Sequence, residues 1–423
     1  MNILLINHYA GSVRHGMEYR PYYLAREWVR SGHRVTIVAS SNSHLRNQAP
    51  VLDGRSRRDE TIDGIDYIWL ATPSYQGNGA ARVRNMAAFV LRLWRDSARM
   101  AAALQPDVVI ASSTYPLDIW PAHRIARCAG VRLLFEVHDL WPRSPMELGG
   151  YSRWHPFIML LQAAENYACR HADAVVSILP RVGAHLEAHG MAAGKLHLIP
   201  NGVDPDEWRD DSASDAVALD PALEPALRAA LDRLKQHGKF VVGYAGTHGI
   251  ANALHTLIEA AARLQSHPIA FVLVGAGPEK ATLQRMAHGL GLSNVHFFDP
   301  VPKTQVPALL RRFDLAYIGW HRQPLYRFGI SPNKLIDYMM AARPVLHAVD
   351  AGNDPVAEAG CGLTVAPEQP QAIADAILSL MAAGTDRLAQ LGERGRAFAL
   401  AHHTYPVLGQ RFLTALAGEP SHG

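Results

Sequence analysis

The sequence predicts an α/β protein made of two doubly wound, Rossmann-like domains facing a central cleft. Three observations predict it. Short apolar runs such as LLFEV and FVLVG alternate with amphipathic stretches. The apolar runs are continuous and do not alternate with polar residues, the pattern of parallel strands covered on both faces. The alternation then restarts near residue 240, after a polar, alanine-rich stretch, and one sheet in each half is the simplest account.

Size and composition agree. The 423 residues are 48% hydrophobic and 19% charged, a globular chain long enough for two or three cores. A net charge of +3 is too small to point to nucleic acid. The first 200 residues hold some twenty arginines and almost no lysine. Compositional bias is the simpler account; a basic face toward anionic lipid or a diphosphate-linked acceptor is the functional one. Cys128, Cys169 and Cys361 are isolated, without metal-ligand spacing, and read as buried thiols of a reducing cytoplasm. No run is long enough to span a bilayer, and MNILLINHYAG reads as a first strand and not as a signal peptide.

In the first half, strands are expected at 3–7, 35–39, 65–70, 108–111, 133–137, 174–178 and 196–199, with helices between them, as at 19–31 and 82–104. Residues 210–237 read as a helical connector. Further strands are expected at 240–244, 270–274, 295–298, 315–318 and 345–347, with a helix about 252–265. The boundary is placed at NGVD, giving domains 1–203 and 204–400. The segment 401–423 contains a last helix, about 405–416, expected to pack back on the first domain. In 82–104, Val83, Met86, Val90, Leu93, Trp94 and Met100 share one broad face and Arg92, Arg95 and Arg99 line another. A core-facing helix with a basic outer side is favoured over one lying on lipid, and a buried helix is likewise favoured for WHPFIMLL at 154–161.

Ligands of open α/β sheets sit at the carboxyl ends of the strands, and the most informative segment is YRFGISPNKLIDYMMAARP, 326–344. Ser331 is of the N-cap type and Pro332 of the first helical position, so a helix start would offer free amides and a positive dipole end to an anion. Gly329 permits close backbone approach, with Ile330 and Asn333 beside it. Lys334 adds a cation in the first turn, and Asp337, on the same side, can accept hydrogen bonds from hydroxyls. Phosphate at the helix start with a polyol one turn deeper is the geometry of a nucleotide sugar. In GYAGTHG, 243–249, Gly246, Thr247 and Gly249 form a turn able to cradle phosphate. Gly277 in GAGP is as readily a compact turn as a group near the base, and the backbone of Val301 could line a base pocket. Glu358 is either a hydroxyl acceptor or a solvated helix carboxylate. In the first half, EVHDLWP puts His138 and Asp139 at a strand end, directed into the cleft. The loop 7–11, with Gly16, faces the same cleft, either shaping the acceptor side or moving freely at the surface. The sequence lacks GxSxG, HExxH and Walker-type motifs, and no strong GxGxxG opens the first domain.

The order of NGVD, YAGTHG, VGAGP, SPNKLIDYMMAARPV and EAGCGLTV resembles the GT-B-fold, family 4 retaining glycosyltransferases, over almost the whole chain. GMEYRPYYLAREWVRSGHRVTIV and EVHDLWP match as well. The nearest look is to bacterial O-antigen and capsule enzymes that transfer L-N-acetylfucosamine. The resemblance implies a nucleotide diphosphate sugar, UDP-linked, bound mainly by the second domain as a substrate, with no permanent cofactor and no protein-bound metal. It implies a glycan or polyprenyl-diphosphate-linked acceptor on the first domain, no nucleic acid, and a cytoplasmic protein in peripheral contact with the inner face of the membrane. His138 matches the family's histidine that contacts the donor sugar, and Asp337 the second member of an acidic pair separated by seven residues. The first member falls at Gly329, where no carboxylate exists; the amides of Gly329, Ile330 and Ser331 are its expected substitutes. The family's diphosphate-binding Arg and Lys fall at Thr247 and near Ala251 and Asn252, which leaves Lys334 and Arg327 as nearby cations. The expected activity is metal-independent transfer of a hexosyl group, an N-acetylated amino-deoxy sugar among the candidates, with Lys334, His138 and Asp139 as catalytic residues. An epimerase of the same architecture and a catalytically silent binding subunit are the alternatives.

Overall fold

The structure is a computed structural model, and it describes residues 1–77, 79–209 and 223–418. Contacts divide the chain into two units, one of Met1–Gly202, Phe328–Ser331 and Tyr405–Gly423, the other of Val203–Arg327 and Pro332–Thr404. The first unit contains β1 (Asn2–Ile6), β2 (Arg34–Ser40), β3 (Arg57–Ile62), β4 (Ile65–Leu70), β5 (Val108–Ala111), β6 (Arg132–Val137), β7 (Ala174–Ser177) and β8 (Leu196–Leu198). Their order in the sheet is β3-β4-β2-β1-β5-β6-β7-β8. All neighbours are parallel except β3 and β4. The sequence reading missed β3, because RRDETI is a charged run without an apolar face. It is an edge strand, and charge is what an edge needs to discourage pairing with another chain.

The second unit contains β9 (Phe240–Ala245), β10 (Ile269–Val274), β11 (Val295–Phe298), β12 (Leu315–Gly319), β13 (Val345–Ala348) and β14 (Gly362–Val365). They form one parallel sheet in the order β11-β10-β9-β12-β13-β14. The four-residue β14, GLTV, is a second strand missing from the sequence reading. In both sheets the winding reverses beside the first strand, between β1 and β5 and between β9 and β12, so each unit has one switch-point crevice at its strands' carboxyl ends.

The core of the first unit is completed by residues distant in sequence. The helix Tyr405–Ala417 lies on the helix Arg20–Arg30. The ring of Trp28 meets Phe412 edge-on at 5.0 Å, and its Nε1 donates to the Gly409 carbonyl at 3.2 Å. Tyr23 stacks on Tyr405 at 4.7 Å. A Cβ on Gly409 would come within 2.9 Å of Glu27 Cβ, so glycine permits this close helix approach.

Several local expectations are revised. Of the connector 210–237, the structure describes a helix at Pro225–Gln236; residues 210–222 lie outside the described residues. The helix Ala80–Leu104 buries Met86, Phe89, Leu93 and Met100 together with Asn85 and Ser97. Val83 and Trp94, assigned to its apolar face, are exposed, and Trp94 instead carries the Arg124 guanidinium 4.7 Å from its ring centroid. Within 154–161, Ile158 and Leu161 are buried while Trp154, Met159 and Leu160 are exposed. Cys128 is exposed, unlike Cys169 and Cys361. No described helix is long and apolar enough to cross a membrane.

Phe412 is fully buried, so Phe412→Ala should destabilise the first unit by about 3–5 kcal/mol. Urea unfolding followed by tryptophan fluorescence would report it; a cost below about 1 kcal/mol would mean that the terminal helix is not part of this core.

Candidate functional site

In the second unit the site begins where β9 ends. Gly246 has φ +149°, and a Cβ there would lie 3.0 Å from Lys334 Nζ. The turn after β10 packs against it backbone to backbone. Gly246 N donates to the Val274 carbonyl at 3.0 Å and His248 N to that of Ala276 at 2.8 Å. A Cβ on Gly275 would sit 1.9 Å from the Gly246 carbonyl oxygen, and one on Gly277 would sit 2.4 Å from that of His248. Of the two readings of Gly277, the compact turn explains its geometry: a side chain would separate the two loops.

Lys334 occupies the first turn of the helix Asn333–Met340. Its Nζ donates to Tyr244 Oη at 2.7 Å and to Asn252 Oδ1 at 3.1 Å. Tyr244 Oη and Asn252 Nδ2 in turn donate to the Thr247 carbonyl, at 2.7 and 3.0 Å. Gly249 holds Asn252 in place through its carbonyl, which accepts from Asn252 N at 3.0 Å. All these partners are neutral, and among the described residues no carboxylate pairs with Lys334. Burial pulls its pKa down to about 7, as expected for a cation stripped of water and given no opposite charge. An anion would relieve that cost, and the turn 246–249 lies directly against the ammonium.

Asp337, one turn further along the helix, is half-buried, and among the described residues its carboxylate accepts no hydrogen bond. Burial pushes its pKa up to about 7, with Lys303 opposing the shift and Glu207 adding to it. Those two side chains pair with each other at 2.7 Å. Val301 lies two residues before Lys303 and is half-buried.

Other predicted residues are placed differently. Ser331 is not an N-cap: its Oγ accepts from Asn201 N at 2.8 Å and its carbonyl from Asn201 Nδ2 at 2.7 Å. Pro332 takes the N-cap position with extended backbone, and the helix begins at the exposed Asn333. Gly329, Ile330 and Ser331 group with the first unit, whereas the expected anion site belongs to the second. Gly329 has φ +93°, a conformation costly for any residue with a side chain, so this backbone favours glycine. Arg327 Nη1 donates to its own turn, at the Pro324 carbonyl, 2.5 Å away. Glu358 is exposed in the short helix Pro355–Ala359, whose N-cap is Asp354. None of the contacts among the described residues joins Glu358 to Lys334 or Asp337.

In the first unit, Glu136 is buried at the end of β6, 3.0 Å from the buried guanidinium of Arg20. Burial opposes its ionisation, but His138 and Arg20 outweigh that and hold its pKa down to about 2. Ser112, which follows β5, donates from Oγ to Glu136 Oε2 at 2.6 Å and lies 3.0 Å from His138 Nε2. His138 thus stands at the β1–β5 crevice on a fixed acidic base. Asp139 does not share that setting. Its carboxylate accepts from Leu140 N at 2.8 Å, from Trp141 Nε1 at 3.1 Å and from Ser144 Oγ. These bonds tie the carboxylate to its own turn. The loop 7–11 is buried throughout. Asn7 Nδ2 donates to the Ser112 carbonyl at 2.6 Å, and the Gly11 carbonyl accepts from Tyr67 Oη at 2.8 Å. A freely moving surface loop is therefore excluded.

Sequence reasoning missed Tyr244, Arg20 and Ser112, and named Asn252 only as a place where a family lysine is absent. An arginine on an otherwise apolar helix face and a tyrosine ending an aliphatic strand were signals for two of them. Nothing local marked Ser112.

Comparison with known proteins follows the same division. Residues 15–202 match the family described as glycosyl transferase 4-like domain, and residues 239–383 match glycosyl transferases group 1. WcaI of Escherichia coli (strain K12), named as a colanic acid biosynthesis glycosyl transferase, is 29% identical over 192 residues, 45% of each chain. The D-rhamnosyltransferase WbpZ of Pseudomonas aeruginosa is 33% identical over 136 residues, 32% of this chain and 34% of WbpZ. Each of these matches spans less than half the relative's length. Among solved structures, Anabaena Alr3699/HepE, determined in complex with UDP and glucose, superposes with a TM-score of 0.65 at 17% identity over 99% of both chains. The chain is thus a glycosyl transferase 4-like domain followed by a glycosyl transferases group 1 domain, and its fold is GT-B.

Proposed function

We propose that the protein is a retaining glycosyltransferase that moves a hexosyl group from a UDP-sugar to a glycan or polyprenyl-diphosphate-linked acceptor in surface polysaccharide synthesis. The observation that carries the reading is Lys334, a half-buried cation with only neutral partners beside a glycine turn. The diphosphate is assigned to that ammonium, the amides of the turn 246–249 and the start of the helix Asn333–Met340. Asp337 is assigned to the ribose hydroxyls. The UDP of HepE and the polysaccharide role in WcaI's name support the donor and the setting.

As the sugar–phosphate bond breaks, negative charge collects on the leaving diphosphate, and Lys334 stabilises it most where the charge is greatest. The departing phosphate oxygen takes the acceptor's proton on the same face, so no carboxylate base is needed and glycine at 329 is compatible with turnover. His138 is assigned to the donor sugar, held by Glu136 and Ser112.

Lys334→Ala should lower kcat/KM by about a hundredfold, roughly 3 kcal/mol of barrier, and weaken the thermal stabilisation given by a UDP-sugar. Turnover within threefold of the parent would remove Lys334 from its role.

Donor affinity should be greatest near pH 7. Below it Asp337 becomes protonated, its free-state pKa being raised to about 7; above it the free lysine loses its proton, its pKa being lowered to about 7. Calorimetric titration of a UDP-sugar from pH 5.5 to 9 would show both limbs. Asp337→Asn should flatten the acid limb and Lys334→Ala the alkaline one.

Asp337 is more basic in the folded than in the unfolded chain, so stability falls as pH rises from the unfolded value toward about 7. Discounted for partial exposure, the charge costs about 1–2 kcal/mol above pH 7. At pH 8, Asp337→Asn should therefore unfold at a higher temperature without ligand than the parent chain; equal or lower thermal midpoints would contradict this.

A further inference from the structure

The first unit holds a second cluster of chemically capable side chains, unconnected with donor binding. Glu165 lies on the helix Pro156–His171, and His185 on the helix Gly183–Ala188, with His189 at that helix's C-terminal cap. Spacing of four residues puts both imidazoles on one face, their centroids 4.3 Å apart. His185 Nε2 is 2.8 Å from Glu165 Oε1, and His189 Nε2 is 3.4 Å from Oε2. The three donor atoms all lie within 4.8 Å of one another. The side chains of Glu165 and His185 are 3% and 4% exposed, and that of His189 is 20% exposed.

Hydrogen bonding accounts for only part of this arrangement. His185 bonds to one carboxylate oxygen, and Gln162 Nε2 donates to the other at 2.7 Å. His189 Nε2 is buried and approaches that second oxygen without hydrogen-bond geometry, so it has no hydrogen-bond partner. A polar nitrogen left in this state carries a desolvation cost. A tetrahedral ion with ligands at about 2.0–2.1 Å holds its donor atoms roughly 3.3–3.4 Å apart, which the 3.4 Å between His189 and Glu165 matches and the 2.8 Å between His185 and Glu165 approaches. Gln162 then fixes the carboxylate from outside, as outer partners of metal ligands do.

We propose that Glu165, His185 and His189 bind a divalent transition metal ion, with Zn²⁺ the best match and water as a fourth ligand on the exposed side of His189. Two imidazoles and one carboxylate suit zinc and its neighbours, whereas magnesium and calcium prefer all-oxygen sites. The ion would join two helices and hold the His185 ring, which meets Phe328 edge-on at 5.3 Å. Phe328 opens the segment Phe328–Ser331, and its carbonyl accepts from Arg181 N at 2.9 Å. The role is structural, separate from bond making and from donor binding.

The test uses the full chain, freed of metal by a chelator and then titrated with Zn²⁺ and, separately, Co²⁺. Zn²⁺ should raise the thermal midpoint by several degrees, and Co²⁺ should give the visible absorption of a tetrahedral N/O site. His189→Ala, the most exposed of the three, should keep the metal-free midpoint and bind at least tenfold more weakly. Glu165→Gln, which preserves shape and removes the charge, should behave alike and covers the case in which His189→Ala folds poorly. Absence of both signals in the parent chain overturns the proposal. So does equal affinity in both variants, which would place the ion among the other of the 22 histidines.

Discussion

A half-buried ammonium without a counter-ion sets the terms for the second unit. Lys334 is held by a tyrosine hydroxyl and an asparagine oxygen and not by a carboxylate among the described residues. Those groups orient the amine but leave its charge unbalanced. The neighbouring glycines follow from the same requirement, since a side chain on Gly246 would displace the lysine and one on Gly275 would push the two loops apart. Asp337 carries the opposite kind of debt, a half-buried carboxylate without a donor. The folded chain therefore keeps two destabilising charges on one helix, which makes sense if a ligand with a complementary pair of groups supplies what the protein withholds.

The first unit solves its charge problem internally. Arg20 reaches Glu136 and the carbonyls of Ile199 and Pro200, and Glu136 also accepts from Ser112. Such a pair is stable only because nearly every donor and acceptor is used. One edge is left for His138. A histidine on so firmly ionised a carboxylate has a fixed orientation, which is what a group contacting a sugar needs.

The architecture was legible because parallel strands buried on both faces write themselves as uninterrupted apolar runs. The strands that escaped notice are the ones physics exempts from that rule: β3, a charged edge, and β14, the edge of the other sheet, where Leu363 and Thr364 are exposed. The site was legible where chemistry is local, as in the lysine and aspartate one helical turn apart. It was misread where a side chain's partner is remote in sequence. Ser331 has the composition of a cap, yet its hydroxyl is claimed by Asn201, 130 positions away. Asp139 was read as directed into the cleft, yet its oxygens accept from Trp141 and Ser144 of its own turn.

The helix Tyr405–Ala417 belongs to the core that begins with β1, while everything from Val203 to Arg327 and from Pro332 to Thr404 belongs elsewhere. During synthesis the first unit must wait for its last helix. At ordinary ribosomal speeds that interval is roughly 10–40 s, long enough for the later-made unit to finish folding first. Throughout it Trp28 and Tyr23 lack their covering side chains, a period in which the nascent chain presents an aromatic surface to chaperones or to its neighbours on the polysome.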